Sequence, residues 1–163
     1  METFAELKAL FQVDVYVLLD EIFSKDYIQK EVITFNQDQL LDGTDATGKK
    51  INTIGGTPYR KSTISFRRRK GLPVDRVTLR VTGEFYETFE VKIVKNGYEI
   101  TANFDKGTSA SPFSEEDVSS NILDNFDPEF DFLGLDKGSL VELVNEWIYP
   151  ELSRLIRAKF GFN

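Results

Sequence analysis

The 163-residue chain contains no cysteine and no histidine. The first absence removes disulfides, thiolate nucleophiles and thiolate metal sites together, and it fits a reducing compartment. The second removes the Ser-His-Asp triad, imidazole acid–base catalysis and every histidine-ligated zinc site. Chemistry, if any, would have to rest on carboxylates, lysine, tyrosine or an oxygen-ligated metal. No stretch approaches the roughly 18 apolar residues that a transmembrane helix needs. The opening Met1-Glu2-Thr3-Phe4 lacks the basic region of a signal peptide. The expectation is a soluble protein made in a cytoplasm, with no membrane partner.

What the chain does contain is enough to build a core. Apolar residues make up 40% and charged residues 29%, an ordinary globular balance, and the length fits one domain spanning 1–163. Phenylalanine, at 14 residues against one tryptophan, is expected to dominate the interior.

Acids outnumber bases by 27 to 20, for a net charge of -7, which argues against nucleic acid as the main partner. The charge is unevenly spread. Residues 60–80 hold eight basic residues and one acid, Asp75, whereas residues 103–136 hold nine acids and one base, Lys106. Two such poles allow head-to-tail association, although each block alone reads equally well as solvated surface.

Residues 3–23 read as an amphipathic helix, with Phe4, Leu7, Phe11, Val15, Leu18 and Ile22 on one stripe and a Thr3–Glu6 capping box. Val13, Tyr16 and Val17 widen its apolar surface beyond what a single neighbour would cover. A second helix is expected over 26–41, with Asp26 as its cap. A glycine-rich loop follows over 42–57, long for a connection within a compact domain. Residues 60–70 form a short basic helix ending at Gly71, Thr78 to Thr82 a strand, and Gly83 a turn.

Asn96-Gly97 is the preferred type I′ pair, so a hairpin is expected around residues 89–104. The implied register sets Ile93 against Ile100, Val91 against Ala102 and Phe89 against Phe104 on one apolar face. Residues 105–134 lose regular patterning, and their aromatics suggest a segment pinned onto a surface, its own or a neighbour's, and ordered only in an assembly. A terminal helix over 139–160, capped by Ser139, keeps one apolar phase across Pro150, which reads as one kinked helix. The fold class is therefore α+β, a small antiparallel sheet against several helices.

Four features could carry chemistry. Asp124, Asp127, Glu129 and Asp131 offer oxygen ligands, but not at EF-hand spacing. Arg67, Arg68, Arg69 and Lys70 could grip phosphate, yet Phe66 is the only adjacent aromatic for stacking. The glycines of the 42–57 loop match no phosphate-binding motif. Paired carboxylates can hydrolyse glycosides, but nothing in this sequence pairs them. No catalytic residue, cofactor or metal site is assigned. The eight charged residues of the two blocks are instead candidates for subunit interfaces.

Three segments together carry a family resemblance. Leu41-Asp42-Gly43-Thr44-Asp45-Ala46-Thr47-Gly48-Lys49 resembles the "dG-x-Da-x-Gk" loop of phage virion-morphogenesis proteins. Val77 to Phe85 is similar to that family's "L-x-x-TG-x-(L/F)" segment ahead of a hairpin. Asp131-Phe132-Leu133-Gly134-Leu135-Asp136 resembles its "R-x-F-L-G-L-s" lead-in to a terminal helix, with Asp131 where the family has arginine. The order of elements also agrees from about residue 30 to 160. The family's Tyr-Ala and His-x-x-Gly after the hairpin have no counterpart. The resemblance implies a virion component assembled in the host cytoplasm: a tail-completion, head–tail joining or neck protein. Such proteins form homo-oligomeric rings, commonly hexamers, and dock onto other neck and tail proteins without catalysing a reaction. The competing readings are a nucleic-acid-binding accessory protein using the basic 60–70 segment, and a carboxylate- or metal-dependent enzyme.

Overall fold

A computed structural model describes residues 14–94, 97–105 and 122–161. Its architecture is α+β: among the described residues there are four helices, the last 24 residues long, and one two-stranded antiparallel sheet.

Helix α1 spans Val15–Phe23, shorter than the expected 3–23, because the backbone at Asp14 is extended and its carboxylate accepts from Tyr16 N at 2.9 Å. An aspartate that takes over a first-turn donor starts a helix and so separates it from what precedes. Thr3, Glu6 and the apolar positions up to Val13 lie outside the described residues. Of the expected stripe, Leu18 and Ile22 are buried and Val15 is exposed; Tyr16 and Val17, expected to widen the apolar surface beyond it, are exposed too.

Helix α2 spans Asp26–Leu41, as expected, but its cap position is Lys25, which makes no side-chain cap bond. Asp26 is instead the first helical residue, where its charge suits the helix dipole. Ile28, Val32 and Leu40 are fully buried along it, and that burial outweighs the weak helix preference of Val32. Helix α3, Lys61–Arg69, is the short basic helix; Gly71 follows at φ 67°.

The segment 78–82 is not a strand. Thr78 N donates to the Tyr59 hydroxyl at 3.0 Å, and Tyr86 Oη donates to the Thr78 carbonyl. Leu79 then takes a left-handed φ of 51°, which no strand accommodates. Gly83, at φ 105°, turns the chain into a 3-10 helix over Glu84–Thr88.

Strands β1 (Glu90–Val94) and β2 (Gly97–Thr101) pair antiparallel, with Val91 opposite Ile100, Ile93 opposite Tyr98 and Val94 opposite Gly97. The expected register is therefore wrong by two residues: Gly97 belongs to β2, not to the turn, and Lys95 and Asn96 lie outside the described residues. A two-residue shift keeps every side chain on its expected face. It also places Lys92 opposite Glu99 and Ile93 opposite Tyr98, both favourable cross-strand pairs. The sheet packs as expected on helices, β1 on α2 and β2 on α1, and Phe23 meets Tyr98 with ring centroids 4.8 Å apart.

The terminal helix α4 runs from Lys137 to Phe160 as Lys137–Leu143, a π-helical turn Val144–Ile148, and Tyr149–Phe160. Asp136, not Ser139, caps it, accepting from Gly138 N and Ser139 N. The π turn lies just ahead of Pro150. Proline lacks an N–H and crowds the carbonyl four residues back, and the wider turn lets one helix continue through it. Glu151 in the next turn ties α4 to the start of α2. It accepts from Lys25 Nζ and from Arg154 Nη2 (the latter at 3.0 Å), and these bonds, with one from Tyr27, hold its carboxyl down at about 2.

The core joins α1, α2, α4 and the sheet. Among the described residues it buries six isoleucines and five phenylalanines, so isoleucine contributes as much as the phenylalanine that composition favoured. The aromatic part is a chain of rings: Phe85 meets Phe89 and Phe104, and Phe132 meets Phe104, Phe126 and Phe130. Residues 122–134 are thus pinned onto this chain's own surface, while 106–121, with Phe113, lie outside the described residues.

Candidate functional site

The first half of the 42–57 loop is a closed structural junction. Gly43, at φ 77°, turns the chain so that Ile51 N reaches the Gly43 carbonyl at 2.8 Å. Asp45 is fully buried, and its Oδ1 accepts from Thr47 N, Thr47 Oγ1 and Lys49 N at 2.7–3.0 Å. Its Oδ2 is buried with no partner among the described residues.

Two other segments lock onto this loop. Ala46 N donates to the Asp131 carbonyl at 2.7 Å, and Arg76 Nε donates to the Leu41 carbonyl at 2.8 Å. From α2, Asn36 Nδ2 donates to the Phe132 carbonyl and Asn36 Oδ1 accepts from Gly134 N; Gln39 Oε1 accepts from Asp136 N at 2.8 Å. The glycine loop, the start of the 77–85 segment and the 131–136 lead-in therefore meet at one place. These hydrogen bonds hold the three segments together and so hold the fold.

The second half of the loop opens outward. Thr53 and Thr57 close a tight turn, with Thr53 N and Thr53 Oγ1 both donating to the Thr57 carbonyl, and Thr53 bridges to Phe126. Ile54 at the tip is 69% exposed. Beside it lies a groove of about 540 Å³, bounded by this tip, by α3, by Val77, Leu79 and Val81, and by Ile122 and Phe126. Val81, 52% exposed, lines the same groove. The left-handed Leu79 sits in the wall, and backbone strain of this kind gathers at binding sites.

The groove divides the basic run in two. Arg67 is 1% exposed and internal. Nε donates to the Pro73 carbonyl at 2.7 Å, Nη1 to the Arg80 carbonyl at 3.1 Å and Nη2 to Thr78 Oγ1 at 2.9 Å, and the guanidinium lies 4.4 Å from the centre of the Tyr59 ring. As a surface charge for a neighbouring subunit Arg67 is thus corrected to a structural residue. Arg68, Arg69 and Lys70 are exposed, as expected of interface candidates.

Asp124, Asp127, Glu129 and Asp131 are exposed too. Asp127 accepts from Glu129 N and Asp131 from Leu133 N, so two of the four shape their own turns. Among the described residues no three acidic groups converge as a metal would require. The turn that carries Asp124 also supplies Ile122 to the groove wall, which brings the acidic segment to the groove that α3 borders.

The groove was not visible in the sequence. Thr63 and Arg67, one turn apart, share the groove-facing side of α3. Ile54 and Tyr59 gave no signal of it. No protein-family model, curated protein or solved structure matches the chain.

Proposed function

We propose that this chain is a structural protein that works by docking, and that it serves a tailed-phage virion as a tail-completion or neck component between head and tail. The observation that carries the docking part is the groove, along which the apolar side chains of Ile54 and Val81 stand in solvent. Exposed aliphatic residues around a concave, strained wall suit a protein partner. The virion assignment rests on the three motif segments of the sequence. Their meeting at one junction supports treating them as a unit, and it leaves the groove beside them available for a partner.

In this reading the protein self-assembles into a ring in the host cytoplasm and contacts other neck and tail proteins in the virion. The exposed cations Arg68, Arg69 and Lys70 and the carboxylates of the 124–131 turn contribute salt-sensitive contacts. Light scattering over a concentration and salt series tests it. A ring-sized oligomer that dissociates in high salt, and is lost in Ile54→Asp, is the expected result. A monomer at every concentration and salt, which also fails to join purified neck and tail proteins, overturns the proposal.

A further inference from the structure

The groove holds a positive charge that the described residues leave uncompensated. Arg67 is buried against two carbonyls, one hydroxyl and the Tyr59 ring, and no carboxylate among the described residues lies in ion-pairing range of it. Carbonyls and a ring orient a guanidinium but do not cancel its charge, and buried charges are ordinarily paired. Away from water the field of such a charge reaches further than at an exposed site. Arg60 stands at the edge of the same groove, exposed, and it too makes no ion pair among the described residues.

The remaining walls differ in kind. Ile54, Leu79, Val81, Ile122 and Phe126 are apolar, and no carboxylate is among the described residues that line the groove. We infer that the groove takes a protein segment in which a carboxylate side chain adjoins an apolar one. The carboxylate meets Arg60 within the field of Arg67, and the apolar side chain lies on Ile54 and Val81. Arg67 lies in α3 and Arg60 at its N-cap, so the acidic residue of the segment points toward α3. This inference rests on the docking reading of the groove and specifies the chemistry of what docks.

The probe is a pair of fluorescent heptapeptides, one with a central glutamate between leucine and phenylalanine, the other with glutamine at the centre. Fluorescence polarisation with the full chain should show the glutamate peptide binding about tenfold more tightly, as a charge-assisted bond gives. Arg60→Gln should erase that preference, and Ile54→Asp should abolish binding of both peptides. These positions are exposed, so neither change threatens the fold as a change at Arg67 would. Equal binding of the two peptides, no binding of either, or a glutamate preference that survives Arg60→Gln overturns the inference. So does a single-stranded oligonucleotide that displaces the glutamate peptide and shows the same dependence on Arg60. Assembly lost in Ile54→Asp without any glutamate preference would remove this inference and leave the docking proposal standing.

Discussion

The junction and the groove share one loop, yet they are opposites in how their groups are satisfied. In the junction Asp45 is fully buried with three bonds to one oxygen, and α2 sends Asn36 and Gln39 to the backbone of 132–136. In the groove Ile54 and Val81 stand in solvent and Arg67 has no counter-ion among the described residues. Polar groups bonded to one another across segments rigidify and specify a fold, whereas exposed apolar surface is available to a partner. The 42–49 and 131–136 segments therefore belong to the scaffold, whereas the Val77 to Phe85 segment also lines the groove through Val77, Leu79 and Val81.

Two glycines of this loop give the sharpest test, since both adopt a left-handed φ. A Cβ on Gly43 would sit 2.9 Å from Arg76 Cβ and 3.2 Å from the Val77 carbonyl oxygen, whereas one on Gly56 (φ 71°) would meet nothing within 4 Å. Gly43→Ala should destabilise by roughly 3 kcal/mol, through backbone strain plus a clash, and lower Tm by about 10 °C. Gly56→Ala carries the strain alone, roughly 1 kcal/mol. Thermal denaturation of both variants checks this, and equal losses would mean that the junction is no tighter than the groove tip.

The basic run offers the same contrast within four consecutive residues. Arg67→Met removes three internal hydrogen bonds and leaves the Pro73 and Arg80 carbonyls without their donor, for a loss of about 3 kcal/mol. Changing Arg68, Arg69 and Lys70 together to glutamine should alter stability by less than about 0.5 kcal/mol. Urea denaturation separates the two, and comparable losses would show the exposed cations to be structural as well.

Much of the scaffold was legible in sequence. The bounds of α2 follow from its apolar period, and the hairpin faces survive because alternation fixes parity even where register slips. The slip itself was not legible: Asn96-Gly97 favours one turn, while the Lys92–Glu99 and Ile93–Tyr98 pairs favour a register two residues away, and cross-strand pairing prevailed. The start of α4 was displaced because Asp136 accepts from Gly138 N and Ser139 N and so begins the helix ahead of Ser139. The Thr78–Thr82 segment alternates like a strand, but its backbone partners are side chains of Tyr59 and Tyr86, contacts between distant positions that local pattern does not encode. The groove escaped detection because four separate pieces of chain build it and none is distinctive alone.

A smaller effect comes from the clasp at Glu151, whose contribution can be titrated. Its carboxyl is held at about 2, below the ordinary 4.5, chiefly by the hydrogen bond from Lys25. A depressed carboxylate stabilises fully above its unfolded value, and that stability fades as pH falls from about 4.5 toward about 2. Glu151→Gln should thus cost roughly 1–2 kcal/mol at pH 7, partial exposure weakening the full linkage value. The gap between variant and wild type should close near pH 2. Urea midpoints of both across pH 2–7 would show it, and a gap independent of pH would mean that Glu151 acts through packing alone.

The smallest effect belongs to the groove lip. Ile54 is 69% exposed, so it removes little apolar surface from water, and Ile54→Ser should change stability by less than about 0.5 kcal/mol. The nearby tip is held by bonds from Thr53 to the Thr57 carbonyl, which the substitution leaves in place. Chemical denaturation gives the number, and light scattering on the same sample gives the state of assembly. Unchanged stability with weakened assembly would place the side chain's contribution in contacts with another molecule. A loss of a full kcal/mol or more in the isolated chain would instead make Ile54 part of the fold, and the division between a hydrogen-bonded junction and an open groove would not hold.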